Sequence, residues 1–189
     1  MEVLGIFTAF GLSASAGLNA YIPLLIVALL ARFTNLITLR APWDTLSSWW
    51  IIGILVVLSL VEFFADKFPA VNHINDAIQT FVRPAAGAVA FAASANVITD
   101  IHPILAMGMG LLVAGGVHAV KAGAVRPAVT AATGGAGNVP VSILEDLTST
   151  LISILAVVIP VVIACLLVLL TAGVIWWFWR RSNRTAAAH

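Results

Sequence analysis

From Val3 to Ala31 no residue carries a charge. A run of that length limits the chain more than any other feature, because about 20 apolar residues already cross a bilayer core of about 30 Å. The pattern recurs, with Thr45–Val61, Pro84–Thr99, Ile101–Val120, Pro127–Leu144 and Leu147–Trp179 also uncharged. Residues 3–31, 47–66, 83–99, 101–121 and 148–179 read as spans. The 122–144 stretch, rich in Gly and interrupted by Pro, reads as a broken sixth. The chain is 61% hydrophobic and 9% charged, against about 25% charged in a soluble domain. That is too little polar surface to coat a globule in water, so the expectation is an all-α integral membrane protein of about six transmembrane segments with broken helices. Residues 1–189 form a single membrane domain, with repeat-like halves at 1–99 and 100–182 and a tail at 183–189.

Composition excludes several classes. The net charge of +1 says nothing about partners, and no basic run is long enough for a nucleic-acid surface. The single Cys165 allows no intrachain disulfide. The first residues lack the basic start and short apolar core of a signal peptide, having Glu2 and a longer run. Placing Arg180, Arg181 and Arg184 in the cytoplasm, a six-span chain puts Lys67, Arg83, Lys121 and Arg126 inside with them and Arg32 and Arg40 outside. The expected location is the cell inner (plasma) membrane, multi-pass, with both termini cytoplasmic.

The first run is odd at its centre, where FGLSASAGLNAYIP replaces lipid-facing residues with small ones and then Asn19. Pro23 has no N–H, so the carbonyl of Asn19 loses its helical partner. Gly17 eases unwinding, and small residues let another backbone approach. Either a closely packed helix or a break facing a polar cavity satisfies this pattern. GLSASAGLNA (11–20) echoes GLLVAGGVHA (110–119), and INDAIQT (74–80) echoes LEDLTST (144–150). The order suggests an imperfect inverted repeat, with hinges at Gly17, Pro23, Gly116 and Pro127 and with the Gly17 and Gly116 segments facing each other.

Ionisable residues inside a membrane default to functional roles. Glu62 and Asp66 lie four apart on one face, followed by Lys67. Residues 72–83 read as a short amphipathic helix with Val71, Ile74, Ile78 and Phe81 opposite Asn72, Asp76, Gln79 and Arg83. In GGVHAVKAGAVRP, His118 and Lys121 share a face and Arg126 precedes Pro127, which suits an anionic group or ion pairs to the acids. Lys121 is expected to point inward toward Glu62, Asp66 or Asp76, since a buried ammonium needs a partner. Ser142 and Glu145 fit a capping box, and Asp146 mirrors Asp76. The candidate binding set is therefore Asn19, Glu62, Asp66, Lys67, Asp76, Arg83, His118, Lys121, Arg126, Glu145 and Asp146.

No catalytic set emerges. KAGAVRP has the Lys and Arg-Pro of a lipid-phosphatase signature, but its spacing is short and no PSGH-like element follows. The histidines lack metal-ligand spacing, and no cofactor or metal is expected. The Trp49–Trp50 pair and Trp176, Trp177 and Trp179 read as interfacial belts.

The elements ASAGLNAYIPLL, EFFADKFPAVNHINDAIQTFVRPAAG, GGVHAVKAGAVRPAVTAATGG and SILEDL together resemble a widespread family of small polytopic proteins of bacteria and plastids, a domain of unknown function. The resemblance covers nearly the whole chain and implies one membrane domain without implying an activity. Three functions stay open. One is a small transporter or channel for an anionic solute or lipid headgroup, in contact with the lipid bilayer and compatible with a homo-oligomer. Another is a scaffold packing through small-residue faces such as Ala86, Ala90 and Ser94. The third is a lipid-modifying enzyme.

Overall fold

The computed structural model describes residues 2–67, 69–95 and 101–186; side chains are described for 5–67, 75–94 and 101–159 and for Leu169, Trp176, Trp179 and Arg180 beyond them. Every regular element among them is helical. They are α1 (Glu2–Leu18), α2 (Tyr21–Phe33), α3 (Trp49–Ala65), α4 (Pro69–Ala95), α5 (Pro103–Val120), α6 (Arg126–Thr133) and α7 (Asn138–Ala186). A 3-10 turn covers Trp43–Ser47, and a π-helical turn at Lys121–Val125 joins α5 to α6. Two helical stretches, Pro103–Thr133 and Asn138–Ile159, are long and apolar enough to cross a membrane.

The small residues of the first run put α1 at the centre. Thr8 Oγ1 donates to the Ala156 carbonyl at 2.7 Å and Ser15 Oγ to that of Ser149 at 2.7 Å, so α1 and α7 are antiparallel. The Phe10 and Phe91 rings meet at 5.1 Å while Gly87 lies against Ser13, which makes α4 antiparallel to α1 as well. On another face Ser13 Oγ donates to the Gly110 carbonyl at 2.8 Å and Gly17 abuts Ala114, so α5 runs parallel to α1. A Cβ on Gly17 would sit 2.6 Å from the Ala114 carbonyl oxygen, so no larger residue fits.

Helix α2 turns back from α1. Its start meets Glu62 near the end of α3, and Arg32 near its end stacks on Trp49 at the start of α3. Trp43, between them, packs against Ala9, Phe91, Ala92 and Ala106, far from Leu18. The chain therefore forms three helical hairpins, α1/α2, α3/α4 and α5–α6/α7, with their turns at one end. Asn19–Ala20 makes the first turn. Gly134, at φ 62°, ends α6 in the left-handed conformation and opens the last.

Several expectations change. Residues 122–144 form no separate span, because the π turn and α6 continue α5 and α7 begins at Asn138. The predicted 72–83 helix and 83–99 span are one helix, α4, with Ile78 and Phe81 outward and Gln79 and Arg83 inward as predicted. The side chains of Val71, Asn72, Ile74 and Cys165, residues 96–99 and the boundary between the halves lie outside the described residues. Asn19 and His118 sit at the same ends of parallel helices, and Asp76 and Asp146 at the starts of α4 and α7, which also run together. The echoing segments thus share one orientation, against the inverted relation expected. Gly116 is exposed within regular α5, so it is no hinge; the irregularity lies at Lys121–Val125.

The polarity of the bundle is inside-out. Ser13, Ser15, Asn19, Glu62, Asp66, Gln79, Arg83 and Lys121 are buried, while Trp50 is 85% and Phe81 79% exposed.

Candidate functional site

The buried polar residues gather where the hairpins turn. The break after Leu18 leaves backbone groups that a continuous helix would have paired. Four of them find side chains. Lys121 Nζ donates to the Leu18 carbonyl at 2.9 Å. The Ala20 N–H donates to Glu62 Oε2 at 3.2 Å. Asn19 Oδ1 accepts the N–H groups of Tyr21 and Ile22, each at 3.1 Å, and so caps α2. Pro23 has no N–H to place.

Glu62 also receives Arg83, fully buried, through Nη2 at 2.8 Å and Nε at 3.2 Å. Arg83 Nη1 donates to His118 Nδ1 at 3.2 Å. A guanidinium can only donate, so Nδ1 is unprotonated and the proton sits on Nε2, facing Thr80 Oγ1 at 3.2 Å. Thr80 in turn donates to the Asp76 carbonyl at 2.8 Å. His118 is thus a neutral acceptor that orients Arg83, rather than a cationic ligand for an anion.

Asp66, at the end of α3, takes Asn75 Nδ2 at 2.7 Å, Arg126 Nη2 at 3.2 Å and Ser142 Oγ at 3.4 Å, with Arg83 Nη2 at 3.7 Å. Glu145 Oε2 receives Arg126 Nη2 at 2.7 Å and Lys121 Nζ at 2.9 Å. Lys121 therefore points inward as predicted, but its ion-pair partner is Glu145 instead of Glu62, Asp66 or Asp76. The capping box does not form. Ser142 and Glu145 lie inside α7, which starts earlier, and both turn toward the cluster. A second limb joins Lys67 Nζ to Asp146 Oδ2 at 3.4 Å, with Asn19 Nδ2 on Asp146 Oδ1 at 3.0 Å.

Ten of the eleven candidate residues thus meet. Asp76 stands at the margin, half-buried, its carboxylate without a hydrogen bond or ion pair among the described residues. Asn75 and Thr80 join the cluster without having been singled out. Their signal was the four-residue spacing of Asn75, Gln79 and Arg83 and of Asp76 and Thr80 on α4. The paired cations are Lys67, Arg83, Lys121 and Arg126; the paired anions are Glu62, Asp66, Glu145 and Asp146, so formal charge balances.

The π turn explains how Lys121 and Arg126 share one oxygen. Five residues apart on an α-helix, they would diverge by about 140°. Here the Arg126 N–H bonds to the Lys121 carbonyl, an i to i+5 closure that brings the two onto one side. Pro127 favours this turn, since it supplies no N–H for the Gly123 carbonyl and clashes with it in a regular helix. In an isolated helix Pro→Ala is stabilising, by about 3 kcal/mol. Pro127→Ala is expected to do the opposite here, lowering the detergent unfolding temperature as Arg126 leaves Glu145. A variant more stable than the parent would show that the π turn does not align the pair.

Among known families, the model for a domain of unknown function, DUF4126, matches residues 6–181. The chain belongs to this family. No curated protein and no solved structure matches it. The match takes in all three hairpins, so every residue of the cluster belongs to the DUF4126 domain.

Proposed function

We propose that this DUF4126 protein is a multi-pass protein of the plasma (inner) membrane that moves a small solute or lipid headgroup bearing an anionic group, with the buried ion-pair cluster as its substrate site. Membrane residence is supported by the inside-out polarity, since exposed Trp50, Phe81, Ile104 and Leu112 suit lipid and buried charges do not suit a soluble core. By rise per residue α1 and α2 are about 26 and 20 Å long, short of the bilayer core. They fit a re-entrant hairpin whose tip, Asn19, meets the cluster at membrane depth, where irregular backbone must be covered by protein.

The same arrangement supports a topology. Arg32 and Arg40 lie at the end opposite the cluster, toward which α7 also runs with Arg180, Arg181 and Arg184. The four remaining cations are in ion pairs at the other end. We therefore read the Arg32/Arg40 connection as cytoplasmic along with both termini, in place of the outside position expected from sequence. With Cys165 replaced, a cysteine at Thr45 is expected to resist an impermeant maleimide from outside and one at Gly135 to react. The reverse pattern would invert the topology.

Transport is favoured over scaffolding because the small-residue faces are consumed within the chain. Ala86, Ala90 and Ser94 are buried, as are Ser13, Ser15 and Ala16. The observation that carries the reading is Arg126 Nη1, which is buried and has no acceptor among the described residues. Buried donors are nearly always paired, and an anionic oxygen is the strongest partner for a guanidinium. Proteoliposomes should take up a labelled small carboxylate, phosphate or zwitterion, with Arg126→Gln losing at least tenfold in rate. Folded parent protein with no flux for any of them would retire the transport reading.

A further inference from the structure

We infer that the corner between α2 and α3 binds the headgroup phosphate of an anionic phospholipid, with Arg32 as its ligand, Arg40 as a second cation on the same connection, and Trp49 and Trp50 as the apolar side of the site. The inference rests on the membrane residence proposed above and is independent of transport, because this corner lies at the end of the bundle opposite the ion-pair cluster.

The two ends of the bundle treat cations differently. Lys67, Arg83, Lys121 and Arg126 each have an acid within ion-pair reach. Arg32 and Arg40 are exposed, and neither has such an acid among the described residues. Asp44 is the one acid between positions 32 and 50, and it pairs with neither arginine. Two arginines and one aspartate leave this connection with a net positive charge.

The corner is built locally. Ser48 caps α3 by accepting the Ile51 N–H at 3.4 Å, which starts the helix at Trp49. Phe33, the last residue of α2, meets the Trp49 ring edge-on, with centroids 5.7 Å apart. Arg32 Cζ lies over the same ring, 4.9 Å from its centre, and Arg32 Nη1 donates to the Ser47 carbonyl at 3.4 Å. The stack and this bond orient the guanidinium. Its other N–H groups have no acceptor among the described residues.

A guanidinium stacked by its face presents its N–H groups at the edge, where two of them match two oxygens of a phosphate. The rings beside it decide where that phosphate comes from. Phe33, Trp49 and Trp50 are all exposed in this corner. A free phosphate or an acidic peptide in water would leave them uncovered. A phospholipid covers them with its glycerol and upper acyl chain, at the bilayer depth that Trp favours. Charge then selects among lipids. Phosphatidylcholine brings its own ammonium, whereas phosphatidylglycerol brings the net negative charge that answers the spare positive one. Anionic lipids also line the cytoplasmic leaflet, the side proposed above for this end.

The test adds dioctanoyl phosphatidylglycerol or dioctanoyl phosphatidylcholine to the detergent-solubilised full chain and follows the unfolding temperature. Phosphatidylglycerol should raise it saturably and at the lower concentration. Arg32→Gln should weaken that preference about fivefold, and Arg32→Gln with Arg40→Gln should abolish it. Before lipid is added, both variants should unfold near the temperature of the parent, because the two side chains are exposed. Arg32→Lys keeps the charge but loses the fork and the stack, so it should retain only part of the preference. Equal responses to the two lipids, or a preference untouched by the double substitution, would overturn the inference. So would glycerol phosphate or a polyglutamate peptide acting as well as the lipid, since the rings would then play no part. A chain that stays monodisperse without detergent would overturn membrane residence and the inference together, whereas the other failures leave the proposed function standing.

Discussion

Glu62→Gln is expected to be among the most damaging single substitutions in the chain. It removes the closer of the two negative partners of Arg83, whose side chain is fully buried, leaving Asp66 at 3.7 Å, and weakens the acceptor that closes the Ala20 N–H at the helix break. Removing one member of a buried ion pair costs about 3–5 kcal/mol, because the remaining charge is left uncompensated. Thermal unfolding in mild detergent should fall accordingly, or the protein should fail to accumulate. The double substitution Glu62→Met with Arg83→Met should recover much of the loss, since a buried pair adds little net stability over apolar residues of similar size. A Glu62→Gln protein as stable as the parent would mean that water reaches Arg83 and that the cluster is wetter than its geometry implies.

Gly87 is the second sensitive point. Helices α4 and α5 touch backbone to backbone there, and a Cβ on Gly87 would overlap that of Ala114 and lie 2.9 Å from the Gly110 carbonyl oxygen. The contact is made from both sides, as a Cβ on Gly110 would sit 2.8 Å from Ala88 Cα. Overpacking costs about 1–3 kcal/mol in tolerant cores, and with backbone atoms as the obstacle Gly87→Val should exceed that range. Gly53→Ala and Gly108→Ala provide the contrast. Both positions face open space within helices, so each should be neutral or stabilise by about 0.5–1 kcal/mol. Chemical denaturation of the three variants side by side measures the difference. Equal behaviour would remove the close α4/α5 approach from the account.

How much of this was legible beforehand depended on range. The polar members of the cluster were visible because a charge set between apolar runs is costly to bury whatever the fold, and Asn19 with Pro23 marked a break through local backbone chemistry. What the break does was not local. Whether α2 continues α1 or doubles back depends on Trp43 finding Ala9 and Phe91 and on Glu62 finding Ala20. Lys121 was assigned to acids on α3 and α4 because they were plausible neighbours, whereas the π turn at Lys121–Val125 rotates it toward Glu145. Hydropathy also misled at 122–144, where Gly and Pro looked like the interruption of a span but serve as the π turn, the short α6 and the corner before α7. The GLxxxxGxxA echo was real as a similarity, and its orientation could be fixed only by which residues pair across α1, α4, α5 and α7.

The charge balance of the cluster has an electrical consequence. Moving one elementary charge through the membrane field costs or releases about 2.3 kcal/mol per 100 mV. Lys67, Arg83, Lys121 and Arg126 travel with Glu62, Asp66, Glu145 and Asp146, so a rigid displacement of the whole cluster carries no net charge and the membrane potential neither drives nor resists it. On the transport reading, voltage would act when the pairs separate, when Asp76 moves with them or when the cargo brings charge of its own. On the transport reading proposed above, current recorded across a membrane holding this protein would report the valence of the cargo, without a gating component from these eight paired charges.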